Sequence, residues 1–444
     1  MLKISFIGAG SGFGSRLSLD ILCSPVLRDC TLALCDIHEG RLMEVVQFVQ
    51  ATIDRHNLPT KLIYSTNRRD ILKDSNFVIT AIAAGCGSYF GHPFEEELSI
   101  PREYGIEQSV ADTYSVGATF RLLRTAPSQL AFCKDMEQLC PNALVLNHTN
   151  PMVGLTMIHS LGSSIKNVGI CHGVHVSSDE LNGFLGVKRE EVAYRCVGIN
   201  HLAWFLDYKR VDTGESLYPL LDKALERTDE EAMKFKDKEL VRIEIYKQFG
   251  VFPTESNHHD SEYMPYFRRT PELMEYYKLR TRLFSSPRPA QQVNFRPWMK
   301  PEGGDLVSSR EYTISIMEAI LTDKPYRFNA NIMNDGLISN LPKKLCVEVP
   351  ALADRHGVHG TAQGALPTHL AGLDQACATC VQLAVEALLE RDKEKAFYAV
   401  ALDPNVAALV SLPKIREMFA RMWEAEGDCL SWMNDGVVIE KCAD

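Results

Sequence analysis

The chain opens on a short apolar run, Lys3-Ile4-Ser5-Phe6-Ile7, that passes directly into Gly8-Ala9-Gly10-Ser11-Gly12-Phe13-Gly14 and then into a helix-forming stretch around Arg16 to Cys23. Few folds accept that order. A strand feeding a glycine turn and a helix start makes a pyrophosphate cradle, because glycines let backbone approach the phosphates and the helix end supplies N–H donors. A second apolar run, Leu32-Ala33-Leu34-Cys35, ends at Asp36, a carboxylate suited to ribose hydroxyls and hostile to a 2′-phosphate. The pattern predicts an NAD pocket in preference to NADP, with Gly8, Gly10, Ser11, Phe13, Asp36 and Asn147 as its cofactor-binding residues. Phe13 departs from the dinucleotide fingerprint, which has its third glycine there.

Strand and helix patterns then alternate as in a doubly wound fold. Residues 39–56 are amphipathic, Leu62-Ile63-Tyr64 is a short strand, and Phe77 to Ile82 is a buried strand leading to Gly85 and Gly87. Gly85 to His92 reads as a loop over the cofactor. A helix from Thr119 to Leu139, kinked at Pro127, precedes the strand Ala143-Leu144-Val145-Leu146. With 444 residues, the chain exceeds one simple core and suits two packed domains. The expected fold class is α/β: an N-terminal Rossmann-type doubly wound domain over 1–195 and a C-terminal α+β domain over 196–444 for substrate, catalysis and oligomerisation. The second part shows a strand through Ala203 to Leu206, a charged helical stretch near 215–248, a polar loop at 252–263 and an irregular Arg- and Pro-rich stretch from Arg280 to Gly304. A helix from Leu306 to Leu321, strands near Arg327-Phe328 and Leu345 to Val349, and a helical stretch from His369 to Val400 follow.

A net charge of -10, without any cluster of Lys and Arg, argues against a nucleic-acid partner. No apolar run approaches the roughly 20 residues of a membrane span, and Met1-Leu2-Lys3 leads straight into a strand, so the expectation is a cytoplasmic enzyme without a signal peptide. The 13 cysteines show no disulfide framework and fit thiols kept reduced. The Cys377-Ala378-Thr379-Cys380 pair lies inside a helical pattern and reads as structural.

Three short segments follow apolar runs and deliver amide, thiol or imidazole groups: Asn147-His148-Thr149-Asn150, Gly169-Ile170-Cys171-His172-Gly173 and Gly198-Ile199-Asn200-His201. Sulfur plus imidazole with open positions suits a borderline divalent cation that also binds substrate oxygens. A buried thiol and an unrelated histidine explain the same residues, and spacing leaves both readings open. The segment Thr254 to Tyr263 concentrates Glu255, His258, His259, Asp260, Glu262 and Tyr263, and its aromatic flanks imply half-burial that shifts pKa values toward acid–base use.

At these residues the chain resembles glycoside hydrolase family 4, the NAD- and divalent-metal-dependent glycosidases. The resemblance runs through Phe6 to Ser11, Ala111-Asp112-Thr113, Phe120 to Pro127, Thr149 to Met152, Cys171-His172 and Gly198 to His201. Thr254-Glu255-Ser256, His259, Glu262 to Phe267 and Gly336 to Pro342 look most like its α-galactosidase branch. The resemblance implies redox-assisted elimination, outside the two-carboxylate scheme of most glycosidases. NAD takes a hydride from sugar carbon 3, carbon 2 loses a proton, the glycosidic oxygen leaves, water adds and the hydride returns. Cys171 and His201 would be ligands of Mn²⁺ or another divalent cation. Asn150, Asp112 and His259 would bind substrate, and His172 would be the proton donor. Tyr263 and Asp260 are rival bases. A homodimer or homotetramer is expected, with a small-molecule glycoside as substrate.

Gly173 departs from the serine typical of that branch and resembles α-glucuronidase or α-galacturonidase members, and His148 stands where tyrosine is common. A uronidase of the same mechanism is therefore an alternative to an α-galactosidase or α-glucosidase, with the Arg-rich stretch 280–296 as its carboxylate partner. A lactate/malate-type NAD-dependent dehydrogenase shares the N-terminal fold and is the alternative of another class. A dinucleotide-sensing protein without activity is a third.

Overall fold

The computed structural model describes residues 1–84, 91–281 and 299–435. Most of the expected Gly85–His92 loop and of the Arg-rich stretch lies outside the described residues. Strands β1 (Lys3–Ile7), β2 (Thr31–Cys35), β3 (Lys61–Ser65), β4 (Phe77–Thr80), β5 (Leu144–Asn147) and β6 (Lys166–Gly169) are all parallel, in the order β3-β2-β1-β4-β5-β6. That is the Rossmann order, with the strand order reversing between β1 and β4. The central strands β1, β2 and β4 bury nearly every residue, which is why they read as continuous apolar runs, whereas the edge strand β3 is part-exposed.

The sheet does not stop at the expected domain boundary. Strands β7 (Val192–Ile199), β8 (Leu202–Arg210), β9 (Tyr326–Met333), β10 (Cys346–Asp354) and β11 (Gly357–Gly360) extend it past β6 as β9-β10-β7-β8, every added pairing antiparallel, with β11 beside β10. Positions 195 and 196 fall inside β7, so one 11-stranded sheet underlies both halves.

Several predicted elements change shape. The charged stretch near 215–248 divides into helices Tyr218–Glu226, Glu230–Lys238 and Leu240–Phe249. The helix expected from Leu306 starts at Thr313, and the stretch from His369 breaks at Arg391, whose φ of 56° no α-helix continues. The polar loop at 252–263 contains the helix Asn257–Tyr263, because its polar groups find partners in the interior instead of water. Cys377 and Cys380 lie buried within the helix Thr368–Glu390, as expected for structural thiols. Cys429 departs from the reduced pattern: it is disulfide-bonded.

The helix Val116–Leu139 carries Phe120 to Pro127, and there Arg121 and Arg124 are buried. Arg121 pairs at 2.8 Å with Glu97, which is 0% exposed; Arg124 pairs with Glu97 and, at 2.8 Å, with Glu426. This network ties three helices together, the last one near the C-terminal end of the described chain. Removing one member of a buried ion network strands the others, so Glu97→Ala is expected to lower unfolding free energy by about 3–5 kcal/mol, measured by denaturant titration. Loss below about 1 kcal/mol speaks against a structural role for this motif.

Candidate active site

Different elements deliver each group of the site. At the end of β5, Asn147 turns inward: its Nδ2 donates to the Thr149 carbonyl and its Oδ1 accepts from the Thr149 N–H, both at 3.0 Å. This cofactor-binding expectation therefore finds a fully buried residue that shapes the turn. The turn presents Asn150, whose Nδ2 donates to Asp112 Oδ2 at 2.8 Å. Across the sheet, Gly169 faces Asn331, Asn331 faces Glu348 and Glu348 faces Gly198. That row aligns the ends of β6 and β7, which carry Cys171 and His201.

The thirty residues between Cys171 and His201 vanish in space. Ligand atoms of Cys171, His201 and Glu255 lie within 4.8 Å of one another, and so do those of Asp112, His201 and His259. His201 belongs to both sets, is 4% exposed, and its Nδ1 has no hydrogen-bond partner. His259 sits between carboxylates, Nε2 3.4 Å from Asp112 and Nδ1 3.4 Å from Glu255.

The imidazoles respond oppositely to one environment. Burial lowers His201 to about 4. Burial also opposes charge on His259, but the carboxylates of Asp112 and Glu255 outweigh it and raise that group to about 10. Burial pushes the Cys171 thiol well up, and Glu255 and Glu348 add to the shift. Two carboxylates, a thiol and an unpartnered imidazole nitrogen form a donor set that fits a divalent cation, whose charge reverses each of these penalties.

Glu255 was not singled out as a ligand in the sequence, and Gly173 explains how it gets there. A Cβ at position 173 would collide with the Glu255 carboxylate. Glycine there lets Glu255 come within 4.0 Å of the Cys171 sulfur, with Glu255 itself at φ 77°. A larger residue there would push the end of the Glu255 side chain away from the Cys171 sulfur.

Of the rival bases, Tyr263 touches the peptide that carries His201. The Tyr263 hydroxyl donates to the Asn200 carbonyl and accepts from the His201 N–H, both at 2.9 Å. Asp260 is fully buried, raised by that burial well above the carboxylate range and opposed by Arg242. His172 is half-exposed, its Nδ1 3.4 Å from Glu311. Glu262, between the helix's functional residues, accepts from the N–H groups of Ser109, Val110 and Ala111 and so fixes the approach to Asp112. The positioning roles of Glu262, Glu311 and Glu348 had no sequence signal, because each depends on a partner more than 30 residues away.

The glycine turn has a shape that suits a dinucleotide. Gly8 has φ 85°, and Asp36 Oδ2 accepts from the Gly10 N–H at 2.8 Å. The missing third glycine is found one position on: a Cβ at Gly14 would strike the Ala9 carbonyl, so Gly14 provides the close helix–strand packing. Phe13 instead packs against His148, ring centroids 4.9 Å apart. The first turn of the helix Gly12–Cys23 holds no acidic side chain, which leaves its dipole available to a pyrophosphate.

Fold and site together combine a Rossmann-type sheet and glycine turn with a part-buried cluster of thiol, imidazole and carboxylate groups able to hold a cation. The profile of the family 4 glycosyl hydrolases matches residues 3–187, and that of the family's C-terminal domain matches 196–406. An alpha-galactosidase of Bacillus subtilis (strain 168) is 36% identical over 441 residues, covering 97% of this chain and 99% of the relative. An alpha-galactosidase of Rhizobium meliloti (strain 1021) is 31% identical, with 96% and 89% covered. Among solved structures, a 6-phospho-alpha-glucosidase from gut microorganisms, in complex with NAD and Mn²⁺, superposes with a TM-score of 0.78 at 21% identity, covering 96% of this chain and 98% of the other. The chain belongs to family 4 of the glycosyl hydrolases and is a glycosidase.

The close approach at Gly173 generates a test. Gly173→Ser is expected to displace Glu255 and weaken Mn²⁺ binding about tenfold or more, read by calorimetry on the purified protein, since second and third ligands commonly act on affinity at that scale. Unchanged affinity removes Glu255 from the ligand set.

Proposed function

We propose that this chain hydrolyses α-galactosides, with NAD as a recycled redox partner and a divalent cation such as Mn²⁺ held by Cys171, His201 and Glu255. The observation that carries the reading is the double use of His201, placed by β7 in both ligand sets beside the dinucleotide turn. The names of the two relatives above 30% identity support the galactoside, and the NAD and Mn²⁺ of the solved 6-phospho-alpha-glucosidase support the cofactors. Bound here, NAD supplies reversible hydride transfer at sugar carbon 3 and the cation supplies polarisation of the oxygen on that carbon.

The chain's own residues do the rest. Asn150 and Asp112, joined at 2.8 Å, hold the sugar hydroxyls, with His259 fixed behind them. Tyr263 removes the proton on carbon 2. Burial raises its phenol well above the usual range, and the His201 N–H counters this by stabilising the phenolate. His172 donates a proton to the departing oxygen, and water then adds at carbon 1. Asp260 has no part in this scheme. A uronide would need a cation for the carboxylate at carbon 6, and most of the Arg-rich stretch expected to supply it lies outside the described residues; uronides rank behind galactosides because the two relatives above 30% identity are named alpha-galactosidases.

Turnover in heavy water is expected to place deuterium on carbon 2 of released galactose, and Tyr263→Phe is expected to suppress that exchange while NAD still binds. Product without deuterium at carbon 2 overturns the elimination. For the cofactor, Asp36→Ala is expected to weaken NAD binding by about 1.5–3 kcal/mol, the worth of a charge-assisted hydrogen bond, measured by fluorescence titration. Equal affinity of the unaltered protein for NADP would count against the ribose assignment.

A further inference from the structure

The segment between residues 307 and 312 is pinned at two points. Ser309 donates through its N–H and its hydroxyl to buried Asp20, at 2.6 and 2.5 Å. Tyr312 donates its hydroxyl to the Cys171 carbonyl at 2.8 Å. Between these anchors stands Glu311, its side chain 8% exposed, Oε1 3.4 Å from His172 Nδ1 and Oε2 buried without a partner. A carboxylate at Nδ1 fixes both the orientation and the tautomer of an imidazole, leaving Nε2 for the proton that is transferred.

His172 and Glu311 also line a cleft of about 490 Å³ between the helices Gly12–Cys23 and Gly173–Leu185, with Arg16, Asp179, Arg189 and Arg310 around it. The cleft shares Asp179, Arg189, Arg310 and Glu311 with a further cavity of about 840 Å³, so the space continues away from the metal-binding cluster. Its size suits a small ligand. Arginines and carboxylates alternate along the wall, Leu19, Val176 and Val307 add apolar surface, and neither sign of charge prevails. A neutral polyol fits such a lining better than a phosphate or a carboxylate.

We propose that this cleft is the leaving-group subsite, taking the second sugar of an α-linked galactosyl saccharide, and that Glu311 is the positioning residue that aims His172 into it. The inference rests on the α-galactosidase reading. His172 lines this cleft, so a leaving oxygen that takes its proton departs beside it.

The experiment compares p-nitrophenyl α-galactoside, methyl α-galactoside and a galactosyl-α-1,6-glucose disaccharide with the intact enzyme, NAD and Mn²⁺. Asp179 makes only long contacts, 3.8 Å to Arg310 and 4.0 Å to Arg189, so its replacement leaves the fold intact. Asp179→Ala is expected to raise KM for the disaccharide about five- to tenfold, the loss of one hydrogen bond, with methyl galactoside within about twofold. Glu311→Ala is expected to lower kcat for methyl galactoside by about tenfold or more while p-nitrophenyl galactoside, which leaves without a proton, stays within about threefold. Glu311→Gln is expected to restore part of the loss. An unchanged disaccharide-to-methyl ratio in Asp179→Ala overturns the subsite. Equal loss on all three substrates in Glu311→Ala overturns the aiming role. Absence of turnover on every galactoside by the unaltered enzyme removes the α-galactosidase reading itself, and the subsite with it.

Discussion

Everything near the centre of this molecule answers to one electrostatic constraint: Asp112 and Glu255 are withdrawn from water with one charged imidazole between them. Each buried ion costs several kcal/mol before pairing. His259, raised to about 10, offsets part of that cost, while His201, lowered to about 4, offers none in the protein alone. The cluster is therefore short of positive charge where His201, Glu255 and the Cys171 sulfur come together. A divalent cation is the economical remedy, because it satisfies carboxylate, thiolate and imidazole together.

Such a deficit persists only if the elements carrying it cannot relax apart. The helix Asn257–Tyr263 supplies three restraints from neighbouring positions: His259 to the carboxylates, Glu262 to the backbone before Asp112, and Tyr263 to the peptide at His201. Glu255 is held by a bond from its own N–H to Ser177 Oγ at 3.0 Å, and Thr254 Oγ1 accepts from the Ala203 N–H at 3.2 Å. Composition alone makes this segment look solvated. In the fold, His259 and Glu262 are paired across long sequence separations, which lets them be buried.

This also marks where the sequence could be read and where it could not. The parallel half was legible because its determinants are local: apolar runs, the glycine turn and Asp36 at a strand end. Cys171, His172 and His201 could be named for the same reason, each within three residues of a glycine after an apolar run. The strands at 326–333 and 346–354 were visible in outline, but nothing local says that they enter the first sheet beside β6. Glu255 could be named as an acid–base candidate but not as a neighbour of Cys171, 84 residues away, and Glu311 stayed hidden because its partner His172 lies far away in sequence. Phe13 misled by one position, since the packing role of the third glycine belongs to Gly14.

The residues most visible as a motif are not those nearest the chemistry. Arg121 and Arg124 lock helices together through Glu97 and Glu426, whereas the ligands gather at the seam where β6 meets antiparallel β9. That seam has a mechanical consequence. In a two-domain enzyme, ligands from separate halves meet only when a cleft closes. Here one continuous hydrogen-bonded sheet joins the β6 and β7 ends, so Cys171 and His201 are brought together by strand register before any ligand arrives. The preorganisation that electrostatic stabilisation requires is thus built into the sheet.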